Sequence, residues 1–268
     1  MWNGVRFVLA VSILSAAGPL AGADTLHIGE HAQVTLVGVN AGVKSMTFHY
    51  GGATITDFVG EYAWKPATTP STNPWPLNQP FESFCVDLNE FVQLNRTYDY
   101  TIKTLETSPN PDPQSPAGMG ADRADALRRL WGTYRAGAQT NDMRAAAFQM
   151  AIWEIVFETT PSLNNPLPKL DVTKGSLYMD TIGSVTGKSG ASITLSSIAT
   201  EANKYLYNVY NSIGTSYEPN LVVLSMPNGQ DQLVVMPVPA AACGGTALLG
   251  LLAGFRRRRG QQLAGTAD

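Results

Sequence analysis

The sequence predicts an α+β fold: a β-barrel or sandwich interrupted by a helical insertion. Three observations predict it. Short Thr- and Val-rich runs separated by glycines fill the first part of the chain. Helical spacing of apolar residues takes over near Asp122. Two strand-like runs joined by a turn containing Asn228-Gly229 then close the chain. Strands, helices and strands again imply that the last strands pair back with the first ones.

The elements follow in order. Gln33 to Val39, Ser45 to Tyr50 and Ala53 to Val59 read as short strands broken by glycines. Lys65 to Pro80 is a Pro/Thr/Asn loop. Phe81 to Val92 and Tyr98 to Leu105 read as a hairpin. In the second of these, Tyr98, Tyr100 and Ile102 alternate with Asp99, Thr101 and Lys103, the period of a half-buried strand. Ser108 to Gly120 is a Pro-rich loop. Asp122 to Arg135 carries Ala126, Leu127, Leu130, Trp131 and Tyr134 at helical spacing. Asn141 is placed to cap a second helix running to Phe157. Ser162 to Gly190 lacks a clear period. Ser197 to Ile213 forms a third helix, with Ile198, Ala202, Tyr205, Leu206, Val209 and Ile213 on one stripe. Asn220 to Ser225 and Gln230 to Val235 are the closing strands, and Asn-Gly between them is a hairpin signal. No repeat period is visible.

Both ends of the chain differ from its middle. Arg6, an apolar run from Phe7 to Ala17, and Ala21-Gly22-Ala23 occur in the order of a secretory signal, which predicts a signal peptide over 1–23. At the other end, Met236-Pro237-Val238-Pro239 leads into apolar residues from Ala241 to Phe255, and Arg256, Arg257, Arg258 and Arg259 follow. About 20 apolar residues span a bilayer comfortably, and this run is shorter. The arginines would stay cytoplasmic. This layout over 236–268 resembles the PEP-CTERM tails that exosortase-type transpeptidases cleave in Gram-negative envelopes. It departs from them in the motif, since Pro237-Val238-Pro239 lacks the usual acidic residue. Cys243-Gly244-Gly245 resembles the glycine-glycine tail read by rhombosortase, and a plain membrane anchor is the third reading. The resemblance implies a sorting transpeptidase in the inner membrane as a partner and a destination at the cell surface or in the extracellular matrix.

Residues 24–235 are then the functional domain. Without the signal and the tail, Lys+Arg falls from 18 to 13 and Asp+Glu from 21 to 20, a net charge of about −7. That argues against nucleic-acid binding, which needs a basic face. Cys85 is the only cysteine left, since Cys243 lies in the tail. An unpaired cysteine in a secreted domain is a free or otherwise committed thiol.

A second anomaly lies in the helix ending at Phe157. Ala145, Phe148, Ile152 and Val156 form an apolar stripe, Trp153 and Phe157 widen it, and Gln149 falls within it. A buried carboxamide without partners costs roughly 1–3 kcal/mol. Gln149 therefore either bonds a loop backbone or faces a polar site inside the core.

Three segments stand out together: Phe84-Cys85-Val86-Asp87, Phe148-Gln149-Met150-Ala151-Ile152-Trp153 and Gly229-Gln230-Asp231-Gln232-Leu233-Val234. They resemble the thioester domains of bacterial surface adhesins, which carry an aromatic-Cys motif on an early strand, Gln-x-Ala-aliphatic-Trp on a helix and a late strand glutamine. The resemblance spans roughly 85–235, and its helix motif departs from the usual Thr-Gln start. It implies an internal thioester between the Cys85 sulfur and Gln230, with Gln232 as the alternative acyl partner. Gln149, Trp153, Phe148, Phe84 and Asp87 would shape the site. Gln230 and Gln232 share one strand face, so the period alone does not choose between them. The implied function is covalent attachment to an amine-bearing surface or matrix partner, formed once, which is adhesion and not turnover. The other readings are a matrix or exopolysaccharide-associated structural protein without the bond, in which Cys85 is a small buried hydrophobe, and a cysteine-dependent hydrolase.

No cofactor or metal site is expected. His27, His31 and His49 have no nearby cysteine and lack zinc-ligand spacing, and they read as surface or edge residues. Glu154 and Glu158, four apart on one helix, read as a solvated or ion-paired face. Asn95-Arg96-Thr97 is a glycosylation sequon that a bacterial sorting tail argues against.

Overall fold

The computed structural model describes residues 27–67, 74–77, 79–88, 90–109, 118–158, 170–227 and 229–237. The expected signal segment 1–23 and the tail from 238 onward, including Pro239, Cys243 and Arg256 to Arg259, lie outside the described residues.

The described chain is a mixed α+β structure with a large antiparallel sheet and three helices. Its strands are β1 (His31–Tyr50), β2 (Ala53–Pro66), β3 (Phe81–Cys85), β4 (Thr97–Lys103), β5 (Leu177–Met179), β8 (Leu221–Met226) and β9 (Gly229–Val235). Two three-residue strands, β6 (Ser184–Thr186) and β7 (Ser192–Thr194), pair separately. The helices are α1 (Ala121–Ala138), α2 (Asp142–Phe157) and α3 (Leu195–Tyr210). The large sheet runs β2-β3-β9-β8-β4-β1-β5, and β1 also pairs with β2. That extra pairing closes six strands into a ring and leaves β5 on the far end of β1. The closing strands β8 and β9 do pair back with the early β4 and β3, as the element order predicted.

Two expectations about the strands are corrected. The runs 33–39 and 45–50 are one continuous strand, β1, with register shifts after Leu36, Val39 and Val43. Glycine here bends a strand instead of ending it. Gly42 lies opposite Gly60 in the β1–β2 pair. A Cβ on either would collide with the facing backbone: Val59 O in the case of Gly42, Ala41 O in the case of Gly60. Both have positive φ, 138° and 157°. Close approach of two backbones thus explains both glycines.

The second correction concerns the predicted hairpin. β3 stops at Cys85, well before Val92, and does not pair with β4. β8 and β9 stand between them, so 86–96 is a crossing connection. The alternation in β4 itself holds, with Tyr98, Tyr100 and Ile102 buried.

The helices follow the periodicity. Asn141 caps α2, its side chain accepting from Arg144 N at 3.1 Å. Thr194 caps α3 in the same way, accepting from Ser197 N at 3.3 Å. These caps satisfy donors that a helix start leaves open. α3 ends at Tyr210, so Ile213 falls outside it and is half exposed, against the expected stripe. α2 is central, packing against α1, α3, β1 and β2, and every residue from Ala145 to Phe157 is buried. The expectation of a solvated or ion-paired Glu154–Glu158 face fails at Glu154 and not at the half-buried Glu158. Glu154 is fully buried, and Glu158 accepts from the backbone N–H groups of Ser176 and Leu177.

Candidate functional site

Cys85 is the last residue of β3 and is completely buried. Its register partner on β9 is Gln232. The next pair along, Val86 and Asp231, is hydrogen-bonded, with Val86 N donating to Asp231 O at 3.0 Å. Hydrogen-bonded and non-hydrogen-bonded pairs alternate in an antiparallel ladder, so Cys85 and Gln232 form the narrow, non-hydrogen-bonded type. Such pairs have Cα atoms about 4.5 Å apart and side chains on the same face. Gln230, two residues earlier on β9, shares that face but lies farther along the strand.

In a narrow pair the main-chain N–H and C=O of Cys85 point away from β9. They point to where β2 would continue, but the β2–β3 pairing ends at Glu61–Phe84. Gln149 of α2 fills the gap. Its Oε1 accepts from Cys85 N at 3.0 Å, and its Nε2 donates to Cys85 O at 2.7 Å. The side-chain amide stands in for a missing strand. The carboxamide that interrupts the apolar stripe of α2 is thus fully satisfied, and its partner is Cys85 itself.

The sulfur is held by the residue two ahead. Cys85 Sγ donates to Asp87 O at 2.7 Å and accepts from Asp87 N at 3.2 Å. Burial pushes the thiol well above its ordinary pKa, and the Asp87 carboxylate adds to the rise. The Asp87 N–H and the Trp153 indole oppose it. The Trp153 Nε1 makes no hydrogen bond of good geometry, so it lies beside the sulfur as a weak electrostatic neighbour. The thiol is therefore protonated at neutral pH.

A chain of buried polar groups shares the face of Cys85. The Trp64 indole Nε1 donates to Ser83 Oγ at 2.7 Å. Ser83 Oγ donates to Gln232 Oε1 at 2.6 Å. Gln232 Nε2 donates to Gln230 Oε1 at 3.1 Å and to Gln230 O at 3.4 Å. The Tyr100 hydroxyl donates to Gln230 O at 3.2 Å. Trp64, Ser83, Tyr100 and Gln232 are fully buried, and Gln230 nearly so. Tyr62, opposite Ser83, completes the surround, and burial together with nearby Cys85 raises its phenol pKa strongly.

Asp231 alternates to the other face of β9. Its carboxylate accepts from Ser108 Oγ at 2.8 Å and Met226 N at 3.1 Å. Burial raises its pKa to about 6 against the pull of these donors.

The sequence-predicted residues divide into three groups. Gln149 and Asp87 hydrogen-bond Cys85, Gln232 is its register partner across the strands, and Trp153 flanks the sulfur. Gln230 joins through Gln232. Phe84 and Phe148 lie behind the site: Phe84 alternates to the face opposite Cys85 and packs on Phe148 and Trp131, with ring centroids 4.7 and 5.9 Å away. Sequence reasoning missed Ser83 and Trp64. Ser83 carries a signal, being two residues before Cys85 on a strand and so on its face. Trp64 carries none, because only the β2–β3 register brings it there.

The histidines sit elsewhere. His27 bonds Glu30, His31 bonds Asp99, and His49 bonds Thr54 and stacks on Tyr178. Among the described residues no group of His, Cys, Asp or Glu is arranged to hold a metal ion. Comparisons with family models, curated proteins and solved structures find no match to this chain.

Proposed function

We propose that this is a secreted, envelope-sorted surface protein whose Cys85 sulfur and Gln232 side chain join in an internal thioester, used for covalent attachment to an amine-bearing partner. The observation that carries the reading is the narrow Cys85–Gln232 pair. It favours Gln232 over Gln230, the partner first expected from the motif. The thioester-domain likeness and the sorting by an exosortase-like transpeptidase rest on the sequence motifs alone.

The chemistry balances. The sulfur bonds to Cδ of Gln232, the Cδ–Nε2 bond breaks, the thiol proton passes to the departing nitrogen, and ammonia leaves. A carboxamide is a poor electrophile, but holding the two groups in register so that they react within one molecule can supply roughly 7–11 kcal/mol of the barrier. Burial holds the thiol protonated, which slows its attack, and once the thioester has formed burial keeps water from hydrolysing it. An amine that later attacks Cδ gives an amide and returns a thiol. The reaction occurs once per molecule, so the protein acts as an adhesin and not as an enzyme.

A matrix protein without the bond is the second reading. The observation in its favour is the Cys85 Sγ–Asp87 O hydrogen bond, which satisfies a plain buried thiol. Methylamine separates the two. With the thioester, the purified chain is lighter than its sequence by one ammonia, and methylamine adds once, converting Gln232 to its N-methylamide. Cys85→Ala has full mass and takes up none. A wild-type chain of full mass that takes up no methylamine supports the matrix reading.

A further inference from the structure

We infer that the Ser83 hydroxyl is the oxyanion donor of this site, held in position by Trp64, with Gln230 fixing the plane of the reacting carboxamide. This rests on the thioester reading and deepens it.

The hydrogen-bond chain determines its own direction. An indole N–H can only donate. Ser83 Oγ must therefore accept from Trp64 Nε1, 2.7 Å away, and its own proton must point elsewhere. Its other partner, at 2.6 Å, is the Gln232 carboxamide. The main-chain O of Gln230 can only accept, so the Gln232 carboxamide atom facing it is the nitrogen, and the oxygen faces Ser83, whose hydroxyl donates to it. The two acceptors on the Gln230 side, Oε1 and the main-chain O, agree with that assignment. Amide orientations are usually chosen from networks with some freedom. Here the main-chain O of Gln230, a group that cannot donate, sets the orientation.

The consequence is chemical. When the Cys85 sulfur attacks Cδ, the carbonyl electron pair moves onto Oε1 of Gln232. A buried O–H already points at that oxygen and is locked from behind. A hydrogen bond to an oxygen gaining negative charge strengthens as the charge develops, so it lowers the barrier more than it stabilises the ground state. The donor needs no reorganisation and acts away from water, the setting in which such donors are most effective. When an amine attacks the thioester, the same Cδ becomes tetrahedral and the same oxygen takes the charge. The Sγ–Cδ bond then breaks and an amine proton ends on sulfur. One donor thus serves both formation and opening of the bond.

Ser83 touches the reacting group and is assigned a catalytic role. Trp64 and Gln230 are positioning residues. Tyr100 anchors Gln230 from the far side by donating to its main-chain O.

The test compares wild type, Ser83→Ala, Ser83→Thr and Trp64→Phe. Each chain is refolded by dilution, its loss of ammonia is followed by intact mass, and the folded product is then treated with methylamine. Ser83→Ala is expected to slow both steps about 10²–10³-fold, the usual effect of removing one oxyanion donor. Ser83→Thr keeps the hydroxyl and is expected to stay within about tenfold of wild type. Trp64→Phe keeps Ser83 but frees it, and is expected to slow both steps about fivefold, the worth of one neutral hydrogen bond. Infrared difference spectra of protein labelled with ¹³C at glutamine carbonyls supply a second readout that a structural role would not move. The thioester C=O band should rise in frequency in Ser83→Ala and Trp64→Phe, because the carbonyl loses or loosens its donor. Unchanged rates and an unchanged band in a folded Ser83→Ala protein overturn the role of Ser83 while leaving the thioester intact. If Ser83→Ala does not fold, unchanged rates and band in Trp64→Phe overturn it. A wild-type chain that never loses ammonia overturns the thioester reading itself, a separate result.

Discussion

The two faces of the β2–β3 pair treat buried polarity in opposite ways. On one face Trp64, Ser83, Gln232 and Gln230 form an uncharged chain of hydrogen bonds around Cys85. On the other, Glu61 meets Arg135 of α1 at 2.6 Å, with Glu82 at 3.6 Å. The guanidinium also lies over the Phe84 and Trp131 rings, 5.6 and 5.2 Å from their centroids. That face is less well satisfied. Glu61 Oε1 lacks a hydrogen bond of good geometry despite the short contact, and Arg135 Nε and Nη1 make none. Burial keeps the Glu61 carboxyl above its ordinary pKa, against the pull of Arg135. It also opens onto a cleft of about 350 Å³, which Phe81, Trp131 and Arg135 help to line.

The difference separates two uses of a polar group in a core. A neutral chain costs little to bury when every member has a partner, and it fixes the orientation of each amide and hydroxyl. That suits a site where one carbonyl must face one donor. An imperfect buried ion pair contributes little net stability, but breaking it is costly because one charge is left alone. It suits a contact that fixes how α1 sits on the sheet.

Three substitutions sharpen this comparison. The largest effect is expected at Gln149. Gln149→Leu leaves the N–H and C=O of Cys85 without partners, at roughly 1–3 kcal/mol each, about 4 kcal/mol together. Denaturant unfolding should show that loss, and methylamine uptake by the folded fraction should fall with it, because the end of β3 is no longer held. Arg135→Ala should cost about 3 kcal/mol, the lower end for a broken buried pair, since Glu61 is already biased toward protonation. Its methylamine uptake per folded molecule should match wild type. Equal loss of uptake in both variants would erase the distinction between the two faces.

The smallest effect is expected at Glu154, and it depends on pH. Burial raises this carboxyl from the ordinary glutamate range to about 8, and its Oε1 accepts from Asp171 N at 2.9 Å while Oε2 has no partner. Between the unfolded value and about 8 the folded chain binds the extra proton, so stability falls as pH rises through that window. Above it the charge is buried in full. Glu154→Gln keeps the acceptor for Asp171 and carries no charge. Its melting temperature should exceed that of wild type at pH 9 and approach it at pH 5. Parallel pH profiles for the two proteins would contradict this.

Much of this arrangement was legible in the sequence, for local reasons. The caps at Asn141 and Thr194 and the stripes of the helices depend on near neighbours, although Thr194 was not singled out. Gln149 was visible because a carboxamide inside an apolar stripe needs a partner. The β8–β9 hairpin was visible through its Asn-Gly turn. What was not legible is long-range register. Phe81 to Val92 and Tyr98 to Leu105 are close in sequence, so they read as a hairpin, yet β8 and β9 separate them. The choice between Gln230 and Gln232 turns on which residue faces Cys85 across strands about 150 positions apart, and alternation is blind to that. The glycines at 42 and 60 were read as strand breaks because each was considered alone. Their meaning appears only when they face each other.

The most direct measurement is fragmentation mass spectrometry of the purified protein after proteolysis under mildly acidic conditions. The expected result is one cross-linked species, lighter by one ammonia, that joins the peptide containing Cys85 to the peptide containing Gln232. After methylamine treatment the two peptides should separate, with the added methylamide localised to Gln232 and a free thiol at Cys85. A linear Cys85 peptide that is alkylated in full without prior amine treatment, with Gln232 unmodified, would contradict the internal bond.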